Sequence, residues 1–122
     1  MEKAIHNLGK EARLHIIYIL LQNRGKKELS QELGITPAAI TKYLKGKTHP
    51  SDNIIRKCLD IATEEEYELI INIIISDLTN AIIELIENVD AKFIIKNENV
   101  RKLKKIIDET QTKLLSTSSS LI

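Results

Sequence analysis

Between Leu21 and Pro50 the chain carries six basic residues, Arg24, Lys26, Lys27, Lys42, Lys45 and Lys47, against only Glu28 and Glu32. The hydroxyls of Thr36 and Thr41 are interleaved with them. Cationic and hydroxylic donors at this density suit the binding of an anionic partner rather than the making and breaking of bonds. The other side chains that could do chemistry form no constellation. His6, His15 and His49 are scattered, with no Cys, Asp or Glu at metal-ligand spacing. His15 lies in an apolar run, and His49 lies in a polar turn where it could approach a phosphate. The single cysteine, Cys58, excludes an internal disulfide and a cysteine-based zinc site, and its apolar neighbours make it a small buried hydrophobe. Glu64, Glu65, Glu66 and Glu68 crowd the start of a predicted helix, where negative charge complements the helix dipole without any catalytic role. With four glycines and no phosphate-cradling loop, the sequence predicts no enzyme, no cofactor and no metal site.

The elements that must position the basic segment are delimited by glycine, proline and capping residues. Glu11 to Arg24 reads as a helix closed by Gly25, although the run HIIYIL would also suit a buried strand. A short helix from Lys27 to Leu33 stops at Gly34, where the chain must reverse with positive φ. Thr36 then caps a helix from Pro37 to about Lys45, with Pro37 at the first position, where no amide hydrogen is needed. Ser30 lets the two helices approach, and Leu29, Leu33, Ile35, Ile40 and Leu44 form the apolar wedge between them. That leaves Thr36, Pro37, Ala38, Thr41, Lys42 and Lys45 on the outer face, small, hydroxylic and basic, as entry into a DNA major groove requires. Ser51 or Asp52 caps a fourth helix through Ile61, with Ile54, Ile55, Cys58 and Ile61 on one face.

The second half is patterned differently. Thr63 and Glu66 match a capping box, after which Tyr67, Ile71, Ile74, Leu78, Ile82, Leu85 and Val89 recur in steps of three and four, a stripe broadened by Ile70, Ile75, Ile83 and Ile86. Ser76-Asp77 is a candidate break in this stripe, and Asn97 or Asn99 a candidate cap for a last helix bearing Val100, Leu103, Ile107 and Leu114. Hydrocarbon this continuous needs covering by a second copy of the chain or by the protein itself, and it offers few polar groups to orient a small-molecule effector. Asn72, Ser76, Asp77, Thr79, Asn80 and Glu84 argue against a membrane span within it.

In length and composition the chain is an ordinary globular one: 122 residues, 43% hydrophobic, 29% charged and only 3% aromatic, too few rings for base-stacking platforms. A net charge of +1 conceals +5 in residues 1–61 and −4 in residues 62–122. The start of the chain lacks the apolar core of a signal peptide, so a soluble, cytoplasmic protein is expected.

The stretch KKELSQELGITPAAITKYLKGKTHPS resembles the helix-turn-helix of the phage repressor and Cro class, on Ser30, Gly34, Ile40, Gly46-Lys47 and Pro50. The likeness covers about Glu11 to Ala62 and continues through SDNIIRKCLDIA, with Ser30 in place of the commoner Ala and Pro37-Ala38 in place of polar residues. It implies an all-α protein: a four- to five-helix DNA-binding domain in residues 1–62, then two or three C-terminal helices. Residues 63–115 would be a helical dimerisation element and residues 116–122 a frayed tail. It further implies that Pro37, Ala38, Thr41 and Lys42 face the groove, with Lys42 donating to guanine and Ala38 touching a thymine methyl. Thr36, Lys26, Lys27, Lys45 and Lys47 would bind phosphates. The expected function is a homodimeric, sequence-specific double-stranded DNA-binding regulator, most simply a repressor. The alternatives are a protein-interaction module or a non-specific architectural DNA-binding protein on the same fold.

Overall fold

The structure, a computed structural model, describes residues 1–120, with side chains described through residue 117. The regular elements among them are all helical: α1 (Glu2–His6), α2 (Lys10–Leu21), α3 (Lys26–Leu33), α4 (Pro37–Leu44), α5 (Asp52–Ile61), α6 (Glu64–Glu87), α7 (Ala91–Ile95) and α8 (Glu98–Ser120). The chain divides into two compact units, Met1–Ile82 and a second from Ile83 onward.

Local capping chemistry sets most helix starts. The Ala39 amide donates to Thr36 Oγ1 at 3.1 Å, the Ile54 amide to Ser51 Oγ at 3.2 Å and the Val100 amide to Asn97 Oδ1 at 3.1 Å. Ser51 and Asn97 are thus the caps, rather than Asp52 and Asn99. The capping box of α6 is complete: the Thr63 amide donates to Glu66 Oε1 at 3.0 Å and the Glu66 amide to Thr63 Oγ1 at 3.2 Å.

Several boundaries differ from those read in the sequence, each for a physical reason. The second helix ends at Leu21, and beyond it the Arg24 guanidinium turns back to donate to Leu20 O at 2.9 Å, meeting a carbonyl of the last turn. Gly25 is therefore no C-terminal cap; extended at φ −78°, it precedes α3, which starts at Lys26. No break occurs at Ser76-Asp77. The Asp77 side chain instead accepts from the amide of Gly9, the residue that precedes α2, at 3.0 Å. With the short helices α1 and α7 counted, five helices lie within residues 1–62 and three follow among the described residues, within both expected numbers. Of the tail expected to fray, residues 116–120 continue α8, and residues 121–122 lie outside the described residues.

The core of the first unit joins Ile5, Leu8, Ile16, Ile17 and Leu20 to Leu29, Leu33, Ile40, Ile55 and Cys58. Ile70 and Ile74 complete it, which is why this unit continues past residue 62 to Ile82. Each fully buried aliphatic side chain of this kind contributes about 1.5–3 kcal/mol. By length and composition α6 is apolar enough to cross a membrane, with a mean hydropathy of 1.9 over 18 residues, yet Glu66, Ile70 and Ile74 tie its first half into this core. In the second unit no described side chain from Ile83 to Thr117 is buried.

Candidate nucleic-acid interface

The turn between α3 and α4 is built around Gly34, at φ 70° and ψ 33°. There the Ile35 amide donates to Ser30 O at 2.9 Å and the Gly34 amide to Gln31 O at 3.3 Å, satisfying the last carbonyls of α3. Ser30 is buried, with its hydroxyl donating to Lys27 O at 2.7 Å, so the close approach of the helices costs no unpaired polar group. Lys57 on α5 reaches across to donate to Leu33 O at 3.3 Å and so braces the same turn. Gly46, also at φ 70°, ends α4 in the same way, with the Lys47 amide donating to Lys42 O at 2.9 Å.

These two turns fix how α4 is presented. Ile40 and Tyr43 are buried and Leu44 half-buried, so the opposite side of α4 faces outward. Tyr43 is core, and burial followed by the nearby Cys58 pushes its hydroxyl pKa up. Pro37, Ala38, Lys42 and Lys45 are exposed and Thr41 half-exposed. Lys26 at the start of α3 donates to Thr41 Oγ1 at 3.3 Å, and that hydroxyl donates to Pro37 O at 3.2 Å. The link brings the expected phosphate-binding Lys26 against the expected groove face. Lys27, Thr36 and Lys47 are exposed on the neighbouring segments. The hydroxyl oxygen of Thr36 already accepts from Ala39, leaving its hydrogen to donate outward.

Arg24 belongs to a different structure. Its side chain is only 8% exposed and forms ion pairs with Glu66 at 3.0 Å and Glu32 at 3.2 Å. Glu66, 1% exposed, also accepts from Asn23 Nδ2 at 3.0 Å. Burial opposes its ionisation, but the hydrogen bonds from Arg24, the Thr63 amide and Asn23, with the Arg24 charge, outweigh it and bring the carboxyl pKa to about 2. Of the six basic residues between Leu21 and Pro50, Arg24 is therefore withdrawn while the five lysines remain at the surface.

One supporting group is not legible in the sequence. Arg13 on α2 is buried and donates to Leu8 O (3.1 Å), Pro50 O (2.9 Å), Ile5 O (2.8 Å) and Asp52 Oδ1 (2.7 Å). It pins the segment that follows α4, with Lys47 and His49 on it, to the N-terminal helix. The carboxyl of Asp52 is held below its ordinary range by hydrogen bonds from His6 and Arg13. An arginine inside an apolar run signals a buried cation, but its acceptors are mostly backbone carbonyls, which no pattern of side chains reveals.

The residues expected to pair two chains are divided. Ile74 is only 4% exposed and lies in the chain's own core. Ile71 and Leu78 are half-buried against that core, whereas Tyr67, Ile82, Leu85 and Val89 are exposed. Cys58 is buried among aliphatic side chains, and burial pushes its thiol pKa up to about 12. Among the described residues no group of three or more His, Cys, Asp or Glu is placed to hold a metal ion.

No curated protein and no solved structure matches the chain. A family model described as helix-turn-helix matches residues 17–61, from within α2 to the end of α5, and this supports a DNA-binding, transcription-regulating role for the segment built around Gly34 and α4.

Proposed function

We propose that the protein is a sequence-specific, double-stranded DNA-binding regulator that acts in the cytoplasm as a homodimeric repressor. The observation that carries the reading is the outward side of α4. Pro37, Ala38, Thr41, Lys42 and Lys45 line it, and Lys26, Lys27 and Lys47 surround it. A rigid helix of this kind enters the major groove while the flanking ammonium groups neutralise phosphates and set register. Lys42 is the base-reading residue, donating to guanine O6 or N7, and Ala38 meets a thymine methyl. Thr36, Lys26, Lys27, Lys45 and Lys47 hold the backbone.

Dimerisation is supported by the second unit, where no described side chain is buried although Leu85, Leu103 and Leu114 lie on its surface. A partner chain covering this hydrocarbon from the 63–115 segment would also bring two recognition helices to one duplex, and paired half-sites about one DNA turn, roughly 34 Å, apart call for two. Bound across a promoter, such a dimer excludes polymerase. Selection of bound sites from a random duplex library, repeated at about 50 and 200 mM salt, tests the reading. An enriched palindrome with half-sites one turn apart is the expected outcome. Salt-sensitive binding without enrichment would make the protein architectural, and no binding at either salt would make it an interaction module.

A further inference from the structure

α6 is apolar on two sides. One carries Glu66, Ile70 and Ile74 into the core of the first unit. The other, roughly opposite on a helix of 3.6 residues per turn, carries Leu69 (50% exposed), Ile75 (55% exposed), Ile82, Ile83 and Ile86 at the surface. The helix is also strongly one-signed: it holds seven acidic residues and no lysine or arginine. Glu66 and Asp77 are engaged within the first unit, whereas Glu65 and Glu68 are exposed and lie along the outer apolar side. Residues 91–105 have the opposite character, with Lys92, Lys96, Arg101, Lys102, Lys104 and Lys105 against Glu98 alone. They lead into an exposed apolar stripe on α8 formed by Leu103, Ile106, Ile107 and Leu114. Lys104 pairs with Asp108 at 3.1 Å within α8, but at the surface, where such pairs exchange readily for others.

We propose that the outer side of α6 is the docking site for α8 of a second copy of the chain, so that the two copies exchange their C-terminal helices. This rests on the homodimer reading and specifies which surfaces meet. Charge complementarity selects the occupant and its direction. The basic first turns of α8 lie against Glu65 and Glu68, which runs the helices parallel. Ile75 and Ile82 on one chain then match Ile107 and Leu114 on the other, each pair seven residues apart. Pairing α6 with α6 in the same direction would instead bring the acidic first turns together, a like-charge contact that disfavours it.

Two charge-reversed full-length chains test this. One carries Glu65→Lys with Glu68→Lys, the other Lys102→Glu with Lys104→Glu. Dimerisation is followed by sedimentation equilibrium, with thermal melts to establish that each variant folds. Each variant alone should dimerise at least about tenfold more weakly than the wild type. An equimolar mixture should regain near-wild-type association, because in the mixed dimer both α6–α8 contacts are again complementary. Failure of mixing to restore association overturns the exchange, as does a dimer that either variant leaves intact; in both cases the homodimer itself stands. A monomeric wild-type chain would instead remove the homodimer reading and the exchange with it.

Discussion

Replacing Glu66 by glutamine should remove a large part of what fastens α6 to the DNA-binding helices. The carboxylate accepts four hydrogen bonds, two from Arg24 at 3.0 and 3.1 Å, one from Asn23 and one from the Thr63 amide. Glutamine preserves the shape, and its carbonyl can still accept from the Thr63 amide and Arg24 Nη2. Its NH2 group, however, faces the Arg24 Nη1 and Asn23 Nδ2 donors and leaves the more exposed Glu32 as the remaining ion-pair partner of that guanidinium. Breaking one partner of a buried pair costs about 3–5 kcal/mol. The pKa gives an independent figure. A carboxyl lowered from 4.5 to about 2 contributes about 3 kcal/mol of stability above its ordinary pKa. The sign follows from the depression: the contribution is complete above about pH 4.5 and is lost as pH falls through about 2. Urea unfolding followed by circular dichroism should therefore show Glu66→Gln less stable by about 3 kcal/mol at pH 7, with the gap closing progressively toward pH 2. The double variant Arg24→Met with Glu66→Leu should be more stable than either corresponding single variant, because neither charge is left buried alone. A gap under about 1 kcal/mol at pH 7, or one unchanged in acid, would refute the assignment of Glu66 as a buried, ionised anchor.

The interface makes its own predictions. Lys42→Ala should weaken binding to the selected site more than to random duplex, whereas Lys26→Ala should weaken both alike and flatten the salt dependence; titrations at several salt concentrations distinguish them. Gly34→Ala should cost about 1–2 kcal/mol in a thermal melt, because positive φ strains any residue with a β-carbon. The nearest obstacle to that carbon, Lys57 Nζ at 3.7 Å, is in ordinary contact, so steric clash adds little. Cys58 should resist a disulfide reagent at pH 8 in the folded protein and react promptly in urea, since burial holds its pKa near 12. Rapid labelling of the folded chain would show that α5 opens at its buried face.

What could be read from the sequence was local. Thr36, Ser51, the Thr63–Glu66 box and Asn97 act on amides three residues away, so their roles are visible in a short window. Gly34 and Ile40 were legible for the same reason, since a tight turn and its wedge are set by neighbours in the chain. The groups that hold those pieces together were not. Arg13 finds Pro50, Arg24 finds Glu66 and Asp77 finds Gly9 across separations of 37, 42 and 68 residues. A charge count treats Arg24 as one more cation available to DNA; only its distant partner shows that it is spent on folding.

The same limit explains why the rotation of α6 is not legible in its apolar stripe. On a helix as rich in isoleucine as α6, hydrophobic spacing alone admits several rotations, and the series Tyr67, Ile71, Ile74, Leu78 is as regular as any other. The polar residues remove the ambiguity. Glu66 must meet Arg24, and Asp77 must meet the Gly9 amide, and both lie on the side of Ile70 and Ile74. With that side turned inward, Ile74 is buried, and Leu69, Ile75 and Ile83 are exposed. The rotation of α6, and with it the hydrocarbon left exposed, is thus set by two carboxylates rather than by the apolar pattern itself.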